Sequence, residues 1–284
     1  MQPFELPDFY MPYPARLNPH LEGARAHCKA WAIRMGLLGS EPGSEGGALW
    51  SEGRFDAMDF AHFTALTHPD VPAPELDLLS DWYVWGWFMD DYCSRSFEQG
   101  NDAGGAREYV SRVLEFLPED LGAPTPAPAN PVERALADLW PRTAPTMSPA
   151  WRRRYAGTLR RLADAYLKDI QGAGKERVLD PVEYVGLRRE VSGVFWSADL
   201  VEHSLGVEIP DRIYDSRPVR VLRDVFADVV GLRNDVISYN IDVAEGRVNN
   251  AVMVMAHFLG CDLQRAAEVV NDLVTSRLYQ FENT

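Results

Sequence analysis

Features that settle the class of a protein at first sight are scarce in this 284-residue sequence. Its three cysteines, Cys28, Cys93 and Cys261, lie too far apart for a disulfide framework or a zinc spacing, which favours a reducing compartment. No apolar run is long enough to span a membrane, and the first residues lack the basic and apolar regions of a signal peptide. We therefore expect a cytoplasmic protein with no membrane partner.

Basic residues are also in short supply. The 28 Lys and Arg residues face 42 Asp and Glu residues, so the net charge is −14 and the isoelectric point is near 4.9. Nucleic-acid binding needs a basic surface that neutralises phosphates, so this balance argues against a nucleic-acid partner. An anionic substrate would instead need divalent cations or a local arginine.

Strand patterns and glycine-rich nucleotide motifs are missing as well. Helical spacing recurs instead and predicts an all-α architecture of about ten helices in a single domain, residues 1–284. Residues 1–19, with five prolines among aromatic residues, are expected to form an extended arm. The predicted helices cover residues 20–38, 55–67, 76–93, 107–116, 132–140, 151–170, 180–205, 217–242, 249–258 and 262 to the end.

Three oxygen-bearing side chains recur every four residues in the stretch LRNDVISYNID, residues 232–242. Asn234, Ser238 and Asp242 should therefore project from one face of a helix. Amide, hydroxyl and carboxylate oxygens suit Mg²⁺, which needs few protein ligands when a substrate phosphate completes its coordination. A polar stripe is more often a solvated helix face, so the metal interpretation depends on a second acidic helix upstream.

That second helix is LDLLSDWYVWGWFMDDYC, residues 76–93. Tyr83, Gly86 and Trp87 precede Asp90 by seven, four and three residues and should share its face, so we expect an aromatic wall below an acidic rim. The commoner explanation is a core helix with exposed acids at its end. Acids at a helix C-terminus oppose the helix dipole, however, and a cation would offset that penalty.

Gly193 lies inside the helix predicted over residues 180–205, in the stretch LRREVSGVFW. Glycine in a helix interior costs about 1 kcal/mol relative to alanine. A local kink, or a backbone carbonyl exposed beside a cavity, would account for its presence there.

Several of these motifs resemble those of the bacterial class I terpene synthases: the Asp pair at 90 and 91, the arginines near 189, and NDxxSxxxD over residues 234–242. More narrowly, QPFELPDFYMPYPARLNPH, NPVERALADLWPRTAPTMS and LRNDVISY resemble the N-terminal domain of the geosmin synthases. The resemblance covers nearly the whole chain. It implies an α-helical bundle around a central cavity, three Mg²⁺ ions with bound diphosphate, and cyclisation of farnesyl diphosphate to a germacradienol-type sesquiterpene.

The resemblance also implies roles for matching positions. Asp90 would bridge Mg²⁺, while Asn234, Ser238 and Asp242 would chelate another ion.

On the helix before the metal-binding stretch, the resemblance implies that Arg189 senses the diphosphate. Ser192 and Gly193 would then occupy the linker and effector positions, with the effector carbonyl directed at the nascent cation. The expected substrate-binding residues are Arg189, Tyr83, Trp87 and Phe195.

The sequence departs from the family pattern at several positions. Ser94 and Arg95 stand where the first motif has an acid, and Glu98 is the next acid along the chain. Ile241 stands where many relatives have a basic residue, and Asp242 replaces the usual Glu. The family's closing helix with its Arg-Tyr pair is expected to be missing from this chain.

Three alternatives stay open from the sequence. A chain-elongating prenyltransferase also uses acidic helices and Mg²⁺, but it normally has two DDxxD motifs, and neither is complete here. The altered first motif would also fit a non-catalytic or weakly active protein that binds prenyl diphosphates. A cyclase for a different prenyl chain length is the third. The product and the oligomeric state are not predicted.

Overall fold

Helices make up nearly all of the regular structure. A computed structural model describes residues 3–39, 49–98, 102–173, 177–244, 246–247 and 249–284. These ranges contain thirteen α-helices, a π-helical turn at Ser94–Glu98, a short 3-10 turn at Ala144–Thr146 and an isolated bridge between Leu38 and Trp50. The predicted all-α class is confirmed. No helix in the described ranges is both long and apolar enough to cross a membrane.

The helices follow the predicted segments closely, and many begin with a polar side chain that caps the first free backbone N–H groups. The helices are α1 Leu21–Met35, α2 Glu52–Met58, α3 Phe60–Thr67, α4 Ala73–Cys93, α5 Ala103–Leu114, α6 Pro131–Thr143, α7 Pro149–Ala173, α8 Pro181–Val191, α9 Val194–Leu205, α10 Asp211–Tyr214, α11 Arg217–Ala244, α12 Ala251–Leu259 and α13 Leu263–Asn283. The capping side chains are Ser51, Asp59, Asp102, Asn130, Asp180, Asn250 and Asp262.

Two predicted helices are each divided in two. Asp59 adopts a positive φ of 44°, which ends α2, and its side chain accepts a hydrogen bond from the His62 N–H at the start of α3. The helix predicted over residues 180–205 is interrupted between α8 and α9, where Gly193 has a φ of +72°. A local break in the helix, one of the two explanations offered for this glycine, is therefore present.

The N-terminal residues form the expected extended arm over α11 and α13. Phe4 is buried and packs edge-on against Tyr239, with ring centroids 5.3 Å apart. Further along, the Glu5 N–H donates to Gln264 Oε1 at 2.8 Å. The arm is thus a packed part of the structure rather than a loose tail.

The chain divides into two compact units, each of which has its own core. We name Met1–Tyr13, Thr158–Ala198 and Ile209–Thr284 the C-terminal unit, and Pro14–Gly157 with Asp199–Glu208 the N-terminal unit. The expectation of a single domain over residues 1–284 stays a prediction.

In the C-terminal unit, α11 packs against α8, α12 and α13. Its buried side includes Leu232 and Val236, which join Val252, Val270 and Val274 in one apolar cluster. Full burial of such side chains contributes about 1.5 to 3 kcal/mol each. One side of α11 therefore anchors the helix and leaves another side for polar residues.

In the N-terminal unit, α4 packs against α1, α3 and α6. The helix begins after Pro72, and Pro74 in its first turn suits a position whose N–H needs no helical partner. Trp82 is fully buried, and its indole N–H donates to Thr143 Oγ1 at 2.9 Å. This burial fixes the helix whose last turns carry Asp90 and Asp91.

Candidate active site

Asn234, Ser238 and Asp242 lie on α11, where the sequence places them on one face of the helix. The Asn234 side chain is exposed, and the other two are half-buried. Ser238 Oγ donates to Asp242 Oδ2 at 3.2 Å, and Asn250 Nδ2 donates to the same oxygen at 2.8 Å. We call these three α11 residues the metal face.

The donor set of the metal face fits a hard divalent cation. Because the Ser238 hydroxyl donates its hydrogen to Asp242, the lone pairs of its oxygen stay available to a cation. Asn234 contributes an amide oxygen and Asp242 a carboxylate, the ligand types that Mg²⁺ prefers. In the part of the chain that the structure describes, no three His, Cys, Asp or Glu residues cluster as a metal site. A cation in the C-terminal unit would therefore depend on this mixed set of ligands.

Arg188 is the arginine that contacts the metal face. Its Nη2 donates to Asn234 Oδ1 at 2.8 Å, and its Nε donates to Asp235 Oδ1 at 2.8 Å. Asp235 also accepts a hydrogen bond from the Tyr184 hydroxyl. Gly231 has no side chain and leaves space for Arg188. A Cβ at position 231 would lie only 3.3 Å from Arg188 Cγ. Arg188 therefore crosses α11 directly beside the metal face.

The charge of Arg188 is stabilised by its buried partner. Burial works to lower the pKa of Arg188, but the adjacent Asp235 carboxylate outweighs it and holds that pKa above its ordinary value. A permanently charged guanidinium is thus fixed at the edge of the metal face.

Arg189, the predicted diphosphate sensor, contacts different acids. Its Nε and Nη2 donate to the two oxygens of Asp228 at 2.8 and 2.9 Å, and Asp224 lies 3.5 Å from Nη1. Asp228 is buried, and Arg277 Nε from α13 lies 3.1 Å from it. Arg189 therefore belongs to an ion-pair network that joins α8, α11 and α13.

The break between α8 and α9 places Ser192 and Gly193 at a helix end. Ser192 Oγ donates to the Arg189 carbonyl at 2.9 Å. At Gly193, a Cβ would lie 3.0 Å from Trp196 Nε1 and would also force a side chain into the left-handed region. Both geometry and space thus require glycine here.

Phe195 follows the break and is half-buried beside a cation. The Arg223 guanidinium lies 5.5 Å from the centroid of its ring and 4.5 Å from that of Tyr214. Arg223 Nη2 also donates to the Phe195 carbonyl at 3.4 Å. One arginine on α11 thus fixes the start of α9.

The two acids near the end of α4 have different environments. Asp91 is half-buried and accepts hydrogen bonds at 2.7 Å from both Trp50 Nε1 and Arg54 Nη2. Asp90 is exposed. Of the pair, Asp91 stabilises the N-terminal unit, which leaves Asp90 as the better candidate ligand.

The segment after these acids continues as helix. α4 runs to Cys93, and the π-helical turn Ser94–Glu98 follows it. The side chain of Glu98 lies outside the described part of the chain, so its proposed substitution for the missing acid stays a prediction.

The predicted aromatic wall is present but includes a residue from α3. Trp87 is partly exposed and contacts Phe63 edge-on, with centroids 5.0 Å apart. Tyr83 is only 2% exposed, and its hydroxyl lies 3.2 Å from His68 Nε2. Tyr83 is thus a buried support of the wall, and the exposed aromatic surface belongs to Trp87 and Phe63.

The sequence analysis missed Arg188 and Asn250 in the C-terminal unit and Phe63 in the N-terminal unit. The spacing within α11 cannot identify Arg188 or Asn250, because both contacts join different helices. Phe63 could have been noticed from the run FAHF at the start of α3, where two aromatic residues lie three apart.

Comparison with known protein families identifies the class of this helical protein. Residues 81–280 match the family model described as "Terpene synthase family 2, C-terminal metal binding". The chain belongs to this family and is a terpene synthase.

Curated relatives match along most of the chain. Pristinol synthase of Streptomyces pristinaespiralis is 30% identical over 274 residues, which cover 95% of this chain and 70% of the relative. Pentalenene synthase of Streptomyces avermitilis is 30% identical over 275 residues, which cover 96% of this chain and 78% of the relative. A 7-epi-alpha-eudesmol synthase of Streptomyces viridochromogenes, named as (2E,6E)-farnesyl diphosphate cyclizing, is 28% identical over 277 residues, covering 96% and 77%.

Solved structures of terpene synthases have the same fold. Germacradien-4-ol synthase from Streptomyces citricolor superposes with a TM-score of 0.82 at 25% identity, covering 97% of this chain and 86% of that one. Linalool/nerolidol synthase from Streptomyces clavuligerus in complex with 2-fluorogeranyl diphosphate gives 0.81 at 25% identity, covering 97% and 85%.

Proposed function

We propose that this terpene synthase ionises farnesyl diphosphate in a Mg²⁺-dependent reaction and cyclises it to a germacradienol-type sesquiterpene. The observation that carries the proposal is the metal face with Arg188 beside it, 2.8 Å from Asn234 Oδ1. The farnesyl diphosphate cyclizing relative and the germacradien-4-ol synthase likeness support the substrate and the product class. The narrower resemblance to geosmin synthases points to the same product.

Asn234, Ser238 and Asp242 would hold Mg²⁺ in the C-terminal unit, and Asp90 would hold it in the N-terminal unit. We propose three ions in all when diphosphate is bound. Bound Mg²⁺ would neutralise the diphosphate and stabilise the charge that develops on it as the allylic C–O bond breaks.

We assign the protein's own diphosphate cation to Arg188. A guanidinium presents paired N–H donors that match phosphate oxygens, and Asp235 already orients this one. Arg189, the alternative from the resemblance, already makes two hydrogen bonds to Asp228. The contact between Arg188 and Asn234 favours Arg188 for the role.

The aromatic side chains would stabilise the carbocation after ionisation. Ring faces attract cations, and this interaction is stronger where water is excluded. Trp87 and Phe63 in the N-terminal unit and Phe195 in the C-terminal unit are the rings we assign to this role. The backbone at Ser192–Gly193 would contribute a carbonyl dipole, because the helix is interrupted there.

A second candidate is a synthase of acyclic alcohols or one for a different prenyl chain length. The likeness to the linalool/nerolidol synthase in complex with 2-fluorogeranyl diphosphate favours it. Ile241, which is apolar and 61% exposed on α11, also removes one diphosphate contact expected of cyclising relatives.

The test is incubation of the purified protein with Mg²⁺ and, separately, geranyl, farnesyl and geranylgeranyl diphosphates, followed by gas chromatography and mass spectrometry. We expect cyclic C15 alcohols from farnesyl diphosphate, and none with EDTA or with Asp242→Ala. In a parallel incubation with added isopentenyl diphosphate, which supplies the C5 unit, longer linear diphosphates would indicate a prenyltransferase. Acyclic alcohols from the first incubations would favour the second candidate. Binding of substrate without any product would indicate a non-catalytic protein.

A further inference from the structure

Asn250 lies between α11 and α12 with all of its amide hydrogens in use. It is fully buried, and its Nδ2 donates to the Asp235 carbonyl and to Asp242 Oδ2, each at 2.8 Å. Its Oδ1 accepts from the Val252 N–H at 2.9 Å. Exchange of the amide N and O would set an oxygen against two acceptors, so these contacts fix the orientation of the amide.

We propose that Asn250 is a positioning residue that orients the Asp242 carboxylate for metal binding; this inference rests on the proposed function of the metal face. Asn250 and Ser238 both donate to Asp242 Oδ2, and these two hydrogen bonds fix the position of that oxygen. We therefore assign the other carboxylate oxygen, Asp242 Oδ1, to the cation. A carboxylate that binds a metal is commonly held by a hydrogen bond of this kind.

The position of Asp242 explains why such support is needed. It lies close to the end of α11 at Ala244, where helices fray. The side chain of Asp is one methylene shorter than that of the Glu expected here. The positions of the Asp242 carboxylate oxygens therefore depend more closely on the backbone of the last helical turn. Asn250 ties that turn to the buried Asp235 carbonyl and to the start of α12.

The amide is not explained by helix capping alone. A cap needs only the side-chain oxygen, and Asp caps helices as well as Asn. Asp180 and Asp262 do so at α8 and α13. At position 250, a carboxylate would instead face the Asp242 carboxylate and the Asp235 carbonyl. The two N–H donors are therefore the property that this position requires.

The test variant is Asn250→Asp, which keeps the cap and removes both donors. Its matched control is Asn130→Asp in the N-terminal unit. Asn130 caps α6 through the Glu133 N–H at 3.0 Å, and its Nδ2 donates to the Glu133 carboxylate at 2.9 Å. The same substitution thus removes an amide-to-carboxylate bond at a helix cap in the other unit.

The readout is calorimetric binding of inorganic diphosphate as a function of Mg²⁺ concentration, alongside the Mg²⁺ dependence of kcat. We expect Asn250→Asp to raise the Mg²⁺ concentration for half-saturation about 10- to 100-fold, with Asn130→Asp unchanged. Asn250→Ser, which also caps but cannot donate to both acceptors, should show the same shift if the Asp variant does not fold.

Unchanged Mg²⁺ dependence in a folded Asn250 variant, with Asp242→Asn clearly impaired, would overturn the positioning role. If the wild-type protein binds Mg²⁺ and diphosphate but makes no terpene, the proposed function fails while the shift in Mg²⁺ affinity still decides the role of Asn250. Absence of Mg²⁺-dependent diphosphate binding in the wild-type protein would overturn both.

Discussion

Arg188 and Arg189 are neighbours in sequence but lie against different acids. Adjacent residues of a helix point about 100° apart, so only one of the two arginine side chains can be directed towards the metal face. Arg188 contacts Asn234 and Asp235, whereas Arg189 is bound to Asp228. The family resemblance implies Arg189 as the sensor, whereas the contact with Asn234 favours Arg188.

Substitution of the two arginines tests which of them binds the diphosphate. We expect Arg188→Ala to weaken the affinity for inorganic diphosphate with Mg²⁺ about 10- to 100-fold, as loss of a charged hydrogen bond predicts. Both variants should lower the free energy of unfolding by about 1 to 3 kcal/mol, because each removes a basic partner from a buried acid, Asp235 or Asp228. Calorimetry and urea unfolding measure the two effects. A larger loss of affinity in the Arg189 variant would return the sensor role to that residue.

Ile241 is a residue at which this chain departs from the family pattern, since many relatives have a basic residue there. It is 61% exposed on the helix that carries the metal face. Ile241→Lys should raise diphosphate affinity about two- to fivefold through a screened surface charge, and this gain should fall with salt. The control is Val243→Lys, also exposed but about 200° further around α11. Equal gains in both variants would show that only net charge matters.

At the scale of single elements, the positions of helices could be predicted because helical periodicity is a local property. α11 begins at Arg217, as its spacing predicts, and ends within two residues of the predicted Asp242. The division at Asp59 could not be predicted, since a positive φ is uncommon outside glycine. The break at Gly193 could be anticipated, because glycine is unfavourable in a helix interior.

The break between α8 and α9 gives a prediction about stability. Gly193→Ala should lower the free energy of unfolding by about 1 to 2 kcal/mol, the cost of a side chain in the left-handed region. Contact with Trp196 Nε1, 3.0 Å from the added Cβ, should increase the loss. Gly186→Ala is the control: it lies within α8, nothing is within 4 Å of its added Cβ, and it should stabilise by about 0.5 to 1 kcal/mol. Equal changes in the free energy of unfolding of the two variants, measured with urea, would contradict the argument that the left-handed backbone at Gly193 requires glycine.

At the scale of the whole molecule, the sequence predicted the helical class, the extended arm and the shared face of Asn234, Ser238 and Asp242. It could not predict the contacts between distant residues within each unit. Arg188 and Asp235 are 47 residues apart, and Trp50 and Asp91 are 41 apart. Spacing within a helix specifies neighbours three or four residues away, whereas such contacts depend on how helices pack. Candidate ligands could thus be predicted from spacing, whereas the residues that contact them could not.

Buried His68 gives the protein a predicted pH dependence of stability. His68 is only 4% exposed and contacts the Tyr83 hydroxyl. Burial lowers its pKa from 6.5 to about 4. Between these two values the unfolded chain binds a proton that the folded chain does not bind. Folding stability should therefore fall as the pH falls through this window, by up to about 1.4 kcal/mol per pH unit from this group alone.

The contribution of His68 can be isolated by comparison with a variant, because the 42 acidic residues are common to both proteins. His68→Gln removes the titrating ring, so the free energy of unfolding should fall less steeply between about pH 6.5 and 5 than in the wild type. It should also be lower near pH 7, because packing and the Tyr83 contact are disturbed. His62→Gln is the control, since His62 is exposed on α3 and should leave the slope unchanged. Urea titrations at several pH values measure the slopes. If His68→Gln and the wild type lose stability at the same rate on acidification, His68 takes up its proton without opposing the fold, and the burial argument is wrong.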